Sequence, residues 1–379
     1  MKKPRIAVVT TYFPSREEPY RGHSTYQTLR HLTGLADWCA FVPFLRYPRG
    51  YRPKKSRYQR MDLNYRPADM DARYFEYVTL PLLGRPFNGE LAYRAVRGAV
   101  QEFRPDLILN YWLYPDGYAA IKLGRQLGVP VVVASIGSDL RRLNDPFTRH
   151  WTRWTLGQAK RIITVSGELG VQATAMGAPP DRIAVILNGY DETVFYPGHR
   201  AAERQRLGLD ADAEIVLYVG SLIPSKGLHE LMEAFRELSA RRPRLQLVCA
   251  GEGPLSPQLA ATPRLVLPGK LSGPQVRDWM VAADLFCLPS YSEGCPNVVI
   301  EALACGRAVV ATDVGGIPEL VNDRNGVLVA PRDAAALAAG LEQALSARWD
   351  DQAVAASYRR DWRQVAAETW EVCLQALHS

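Results

Sequence analysis

Residues 285–313 read LFCLPSYSEGCPNVVIEALACGRAVVATD. The runs LFCLPS and AVVATD are apolar without alternation, which suits strands covered on both faces of a parallel sheet. Between them, Pro296 suits the first position of a helix running NVVIEALA, and Gly306 suits its end. Strand, loop, helix and strand in this order form the repeating unit of a doubly wound α/β sheet. Such a sheet holds its ligands beyond the carboxyl ends of its strands, and that places the loop containing Glu293 at the ligand edge.

The same alternation runs back through the chain to its start. RIAVVTTYF, CAFVPF, YFEYVTL, DLILNYW, PVVVASIG, RIITVS and IAVILNG precede it, followed by IVLYVGS, LQLVCAG and RLVLPGK. The chain has 379 residues, which exceeds one ordinary domain and predicts two, each large enough for its own core. Apolar periodicity breaks into Pro, Gly and charge across residues 191–213, so the boundary is placed there. The expected layout is a first sheet domain over 1–190, a second over 191–360, and a terminal helix over 361–379 that can pack back on the first domain. Two such domains would face a central cleft.

Composition narrows the function classes. Hydrophobic residues make up 47% and charged residues 22%, an ordinary globular balance that excludes a disordered chain. Six cysteines without a CxxC pair, several inside apolar runs, suit buried thiols of a reducing compartment. The opening MKKPRIAVVTTYFPS suits a first core strand rather than a signal peptide. No apolar run reaches the roughly 18 residues of a membrane span, so membrane contact is expected to be peripheral. Between Arg46 and Arg66, eight basic residues face one acid, Asp62, and the remaining chain holds 38 basic and 38 acidic residues. The whole net charge of +7 sits in that segment.

Glu293 and Glu301 lie eight residues apart, on either side of a helix N-terminus whose free N–H groups and dipole favour an anion such as a phosphate. Two carboxylates there suit hydroxyl donors on both sides of the phosphate, as on the two sugars of a nucleotide-sugar. A solvated loop residue and a helix-surface charge fit the spacing as well.

The run SEGCPNVVIEALACGRAVVATDVGGIPELV resembles the E-x7-E region of the family 4 retaining glycosyltransferases of the GT-B fold. RPDLILNYWLYPDGYAA, ASIGSDL, RIITVS, VILNGYDETVFYP, YVGSLIPSKGL, CAGEGP and LPGKLS follow the family's order over most of the chain. With GSDL in place of a His-Gly-x-Asp motif, the chain is similar to the subgroup that builds bacterial cell-surface polysaccharides. The resemblance implies two Rossmann-like domains, the first for the acceptor and the second for the donor. It places Glu293 beside the donor sugar and Glu301 on the ribose, with the amides of Gly294, Cys295, Pro296, Asn297 and Val298 around sugar and phosphate; Pro296 itself has no N–H. Lys226 matches the lysine that meets the donor diphosphate, and the base is expected near Lys270 and Leu271. Ser221 stands where the family often has Arg, and Ile136 where it has His. Asp139 remains as a polar group toward the cleft, with a helix-capping role as its alternative. Gly22 matches the loop that approaches the acceptor, and His23 beside it is a second acceptor-side candidate.

The resemblance therefore implies a retaining hexosyltransferase that needs neither metal nor cofactor and uses a UDP- or GDP-linked sugar. Its acceptor would be a glycan or a lipid-diphosphate-linked glycan. The expected location is the cytoplasm, peripheral on the inner membrane face, with Arg46 to Arg66 meeting anionic lipid. A catalytically silent nucleotide-sugar binder or scaffold is the alternative, because of Ser221 and Ile136. A dinucleotide oxidoreductase is disfavoured because the first strand runs into TTYFPSREEPYRG and not G-x-G-x-x-G. No recognition motif accompanies the basic segment, so no nucleic-acid partner is expected.

Overall fold

A computed structural model describes residues 3–48, 62–141, 143 and 145–378. It divides into two compact units, Met1–Leu187 with Trp362–Ser379, and Asn188–Asp361. The first unit is built on seven strands: β1 (Arg5–Val9), β2 (Asp37–Arg46), β3 (Ala72–Val78), β4 (Leu107–Tyr111), β5 (Val131–Ser135), β6 (Arg161–Thr164) and β7 (Ile183–Val185). The second has six: β8 (Glu214–Val219), β9 (Leu245–Ala250), β10 (Leu265–Gly269), β11 (Leu285–Leu288), β12 (Ala308–Thr312) and β13 (Gly326–Val329).

Every strand pairing is parallel, in the orders β3-β2-β1-β4-β5-β6-β7 and β10-β9-β8-β11-β12-β13. The apolar runs read from the sequence become strands whose residues are nearly all buried, as helices on both faces require. Strand order reverses between β1 and β4 in one unit and between β8 and β11 in the other. At each reversal the two neighbouring strands feed helices on opposite faces, which opens a crevice at their carboxyl ends.

Three local expectations change. Pro296 caps the helix Asn297–Ala304 from extended backbone and is not its first helical residue. Its fixed φ serves an N-cap equally well, and no side chain caps the helix start. The stretch 191–213, read as broken periodicity, contains the helix Arg200–Leu207. Its one buried side chain is Arg204, ion-paired with Asp284 at 2.6 Å, so an apolar stripe was never there to find. Finally, β13 is only four residues long at the sheet edge, and GVLV was not read as a strand.

The helix Trp362–His378 belongs to the first unit. Trp362, Val365, Ala366, Val372, Cys373 and Ala376, at helical spacing, join the core formed by β1, β2 and β4 with the helix His23–Leu32. All six cysteines are buried and unpaired. Among the described residues, no helix is long and apolar enough to cross a membrane.

Candidate donor site of the second unit

At the β8/β11 reversal, the chain leaving β8 makes a one-turn 3-10 helix, Pro224–Lys226, closed by Gly227. Gly227 has φ 70°, and a Cβ there would lie 1.9 Å from the Pro289 carbonyl oxygen, so only glycine lets this turn approach the segment after β11. Tyr291 N–H donates to the Ser225 carbonyl at 3.1 Å and locks the same junction. Lys226, delivered by β8, and Glu293, delivered by β11, consequently meet at 2.5 Å between Nζ and Oε1. Their side chains are 29% and 13% exposed, partly desolvated yet open on one side. Ser221 is exposed, and its carbonyl accepts the hydroxyl of the fully buried Tyr218 at 2.8 Å.

Asn188 organises the turn before the helix Asn297–Ala304. Its side-chain amide donates to the Cys295 carbonyl at 3.0 Å and to the Asn297 Oδ1 at 2.8 Å, and its backbone N–H reaches the Cys295 sulfur at 3.4 Å. Gly294 accepts Gly316 N–H at 3.0 Å. The N-terminus beside Glu293 is thereby held by both the preceding and following segments. Burial pushes the Cys295 thiol up to about 12, leaving it a packing group rather than a nucleophile.

Glu301 lies in the second turn of that helix, and Cys305 N–H donates to its backbone carbonyl. Desolvation pushes its carboxyl from an ordinary 4.5 up to about 7. Between these values the folded chain keeps a proton that the unfolded chain has lost, so stability falls as pH rises through this window and stays lower above it. Glu301→Gln is therefore expected to raise the melting midpoint at pH 8 and to show little gain at pH 4.5. An equal gain at both values would mean that the carboxyl is not strained by burial.

A pocket of about 350 Å³ opens at the carboxyl ends of β8, β9 and β10, lined among others by Gly220, Ser221, Gly251, Lys270 and Leu271. Its floor exists because Gly251 packs on Gly220, where a Cβ would come within 1.9 Å of the Gly220 carbonyl oxygen. The residues expected at the base thus share one recess.

The first unit has its own constellation, mostly unread in the sequence. Tyr12 follows β1 and Trp112 follows β4, and their rings stack at 4.2 Å and 24°. Trp112 has φ 97°, an unusual backbone for a bulky residue. Buried Asp116 ties the two strand ends by accepting Thr11 N–H at 2.6 Å and the Thr11 hydroxyl. Burial pushes its carboxyl up to about 7, partly offset by these bonds. The pair borders a pocket of about 340 Å³ with Arg21, Tyr77, Arg85 and Asn88.

Gly22 supports this arrangement: at φ 62°, its missing Cβ would sit 2.0 Å from the Tyr12 carbonyl oxygen. The His23 ring meets the edge of buried Trp362 at 6.3 Å, which places it against the terminal helix. Asp139 is 6% exposed and accepts from Leu113 N–H (3.2 Å), Ser135 Oγ (2.9 Å) and Gly137 N–H (3.0 Å). Its carboxylate joins the β4 and β5 loops. Asp139 lies inside the short helix Ser138–Arg141, and all three of these donors precede that helix, so its carboxylate does not cap the following turn as the alternative had it.

Residues 28–189 match the model described as "Glycosyl transferase 4-like domain", and residues 213–347 match "Glycosyl transferases group 1". A Bacillus subtilis (strain 168) protein, named as a glycosyltransferase of teichuronic acid biosynthesis, is 32% identical over 360 residues, covering 88% of this chain and 87% of that one. The chain belongs to the family 4 glycosyltransferases. Sucrose-phosphate synthase from Thermosynechococcus elongatus superposes on this glycosyltransferase with TM-score 0.80 at 20% identity, covering 99% of each chain, and shows the GT-B fold. HepE of Anabaena, solved in complex with UDP and glucose, superposes with TM-score 0.72 at 19% identity, covering 98% of this chain and 99% of that one.

Proposed function

We propose that this glycosyltransferase moves a hexosyl group, with retention, from a UDP- or GDP-linked sugar to a glycan or lipid-diphosphate-linked glycan of a bacterial surface polysaccharide. The carrying observation is the Lys226–Glu293 pair at 2.5 Å beside a helix N-terminus and a base-sized recess. UDP and glucose in HepE and the teichuronic acid role of the B. subtilis relative support the donor and acceptor classes.

Breaking the bond between the anomeric carbon and the β-phosphate oxygen leaves negative charge on the diphosphate. Lys226 and the N–H groups at the helix start would stabilise that charge, so the reading requires neither a metal nor a cofactor. The acceptor hydroxyl attacks the same face that the phosphate leaves, and its proton passes to the departing phosphate oxygen. Glu293 orients the donor sugar, Glu301 accepts the ribose hydroxyls, and the base lies by Lys270 and Leu271. The Tyr12–Trp112 platform, with its flat apolar faces and polar rim, suits an acceptor sugar. Of the basic segment assigned to anionic lipid, Arg49, Arg52, Lys54, Lys55, Arg57 and Arg60 lie outside the described residues. Arg46 pairs with Glu76 at 3.0 Å, and Arg66 donates to the Leu63 and Tyr65 carbonyls.

Melting midpoints with UDP, GDP and ADP test the donor half, since saturation at 100 times Kd stabilises by about 2.7 kcal/mol. One nucleotide should raise the midpoint, and Glu301→Ala should remove most of that rise. Incubation with the matching nucleotide-sugar in excess chelator should yield glycosylated lipid-linked acceptor. No response to any nucleotide would overturn the reading, and nucleotide binding without transfer or hydrolysis would favour a silent binder.

A further inference from the structure

Twelve large hydrophobic side chains are well exposed among the described residues, and five of them fall within ten residues: Val78 (46%), Leu80 (54%), Leu82 (70%), Leu83 (76%) and Phe87 (63%). A sixth, Phe147 (54%), is two residues from Asp145, which ion-pairs with Arg85 of this loop at 3.3 Å. Such a cluster is out of keeping with singly scattered surface hydrophobics.

The loop is built to hold this exposure. Leu82 has φ 61°, a conformation rarely adopted by a leucine. The turn is closed by Leu83 N–H to Pro81 O (2.7 Å), Gly84 N–H to Leu80 O (2.9 Å), Arg85 N–H to Leu82 O (3.2 Å) and Phe87 N–H to Gly84 O (3.0 Å). Thr79 Oγ1 donates to Asn88 Oδ1 at 2.8 Å across its base, and Tyr114 Oη donates to the Arg85 carbonyl. Pro81 and Pro86 have no N–H to satisfy. A turn that bonds its own backbone can enter an apolar phase that water cannot follow.

Charge around the patch points to the occupant. Arg85 in the loop and Arg149 in the helix Pro146–Gln158, which carries Phe147, are exposed, and the nearby acids are engaged: Asp145 on Arg85 and Thr148, Glu90 on Arg94 and Lys122. Projecting leucines and phenylalanines rimmed by cations suit the headgroup–acyl boundary of an anionic bilayer. We infer that the loop Leu80–Phe87, with Phe147, inserts into an anionic lipid bilayer and docks the first unit there. Tyr77, Arg85, Asn88 and Thr148 also line the Tyr12–Trp112 pocket, so insertion would bring that pocket to the membrane surface. The insertion stands apart from the transferase reading; only its use in delivering a lipid-linked acceptor depends on it.

The test is flotation of the full chain with phosphatidylcholine vesicles, with and without phosphatidylglycerol, at physiological salt and at roughly 0.5 M, where exposed charges are screened. Wild type should float with the anionic vesicles and keep most of its binding at high salt. The variant Leu82→Asn/Leu83→Ser should partition at least tenfold less, with an unchanged melting midpoint and unchanged transfer to a water-soluble acceptor. Asn is chosen at 82 because it tolerates positive φ. Phe87→Ser should weaken binding in the same direction. Equal flotation of wild type and variants, or binding of both that vanishes with salt, would overturn insertion while leaving attraction by the basic segment standing. A wild type that fails to float yet forms a dimer dissociated by these substitutions would overturn it in favour of a second copy. Loss of transfer with membrane binding intact would strike the transferase reading alone.

Discussion

Lys226→Ala lowers turnover by at least about tenfold, the loss expected when roughly 1.4 kcal/mol of transition-state stabilisation disappears. Comparable sites lose 10²–10³-fold, order of magnitude, when one charge-stabilising donor is removed. Two features favour a large effect here. Ser221 provides no second cation, so in the proposed reaction the leaving charge would fall to the ammonium and the helix N-terminus. Glu293, 13% exposed, also loses its 2.5 Å partner and with it the contact that fixes its position beside the helix N-terminus. Glu293→Gln should chiefly affect the intact nucleotide-sugar, with bare nucleotide binding preserved. Because the two residues act through one contact, the double variant should lose less than the product of the single losses. The check is steady-state transfer kinetics on all three variants. Full activity in Lys226→Ala would move the role to another cation, and strictly multiplicative losses would show that the pair does not act as a unit.

Asp351→Ala destabilises the second unit by about 3 kcal/mol, the lower end of the cost of breaking a buried ion pair. Arg307 is fully buried, and its Nη2 meets Asp351; its other nitrogens find only the Ala283 and Cys305 carbonyls, at 3.1 and 3.4 Å. Desolvation already holds the Arg307 guanidinium below its usual range, opposed by Asp351. Removing that carboxylate leaves a buried cation with carbonyls alone. Asp351 is 31% exposed, and water reaching the gap limits the loss. Arg200, which contacts Asp351 at 3.1 Å, keeps Asp284 at 2.8 Å. For a unit of this size the midpoint should drop by roughly 6–12 °C. Arg307→Met added to Asp351→Ala should recover at least half of the drop, because a well-packed apolar chain no longer needs a counter-charge. A drop below roughly 2 °C, or no recovery in the double variant, would show that the pair is not what stabilises this region. The network also closes the helix carrying Glu301: Gly306, at φ 76°, ends it against the Asp351 backbone, where a Cβ would lie 2.5 Å from the carbonyl oxygen.

Sequence alone determined the parallel α/β architecture, because LFCLPS, AVVATD and their counterparts are too continuously apolar for any strand with a wet face. It also marked Glu293 and Glu301 as flanking a helix start, since eight residues of separation and a Gly-Cys-Pro-Asn turn are local facts. Tertiary structure decided what these groups meet. Lys226 and Glu293 are 67 positions apart, and nothing in either segment says that β8 and β11 are neighbours; the reversal of strand order does. The same reversal at β1 and β4 stacks Tyr12 on Trp112, two aromatics 100 positions apart that no motif in the sequence links. His23, adjacent in sequence to Gly22, turns its ring to Trp362 because the terminal helix returns to the first unit. Burial reverses the usual meaning of residue type at both extremes: Arg307 is fully enclosed, while Leu82 and Leu83 are left in the open. Hydrophobic pattern states which face of one element seeks a core. Which strand ends converge, which charges are enclosed and which apolar side chains remain uncovered depend on contacts between segments far apart in the chain.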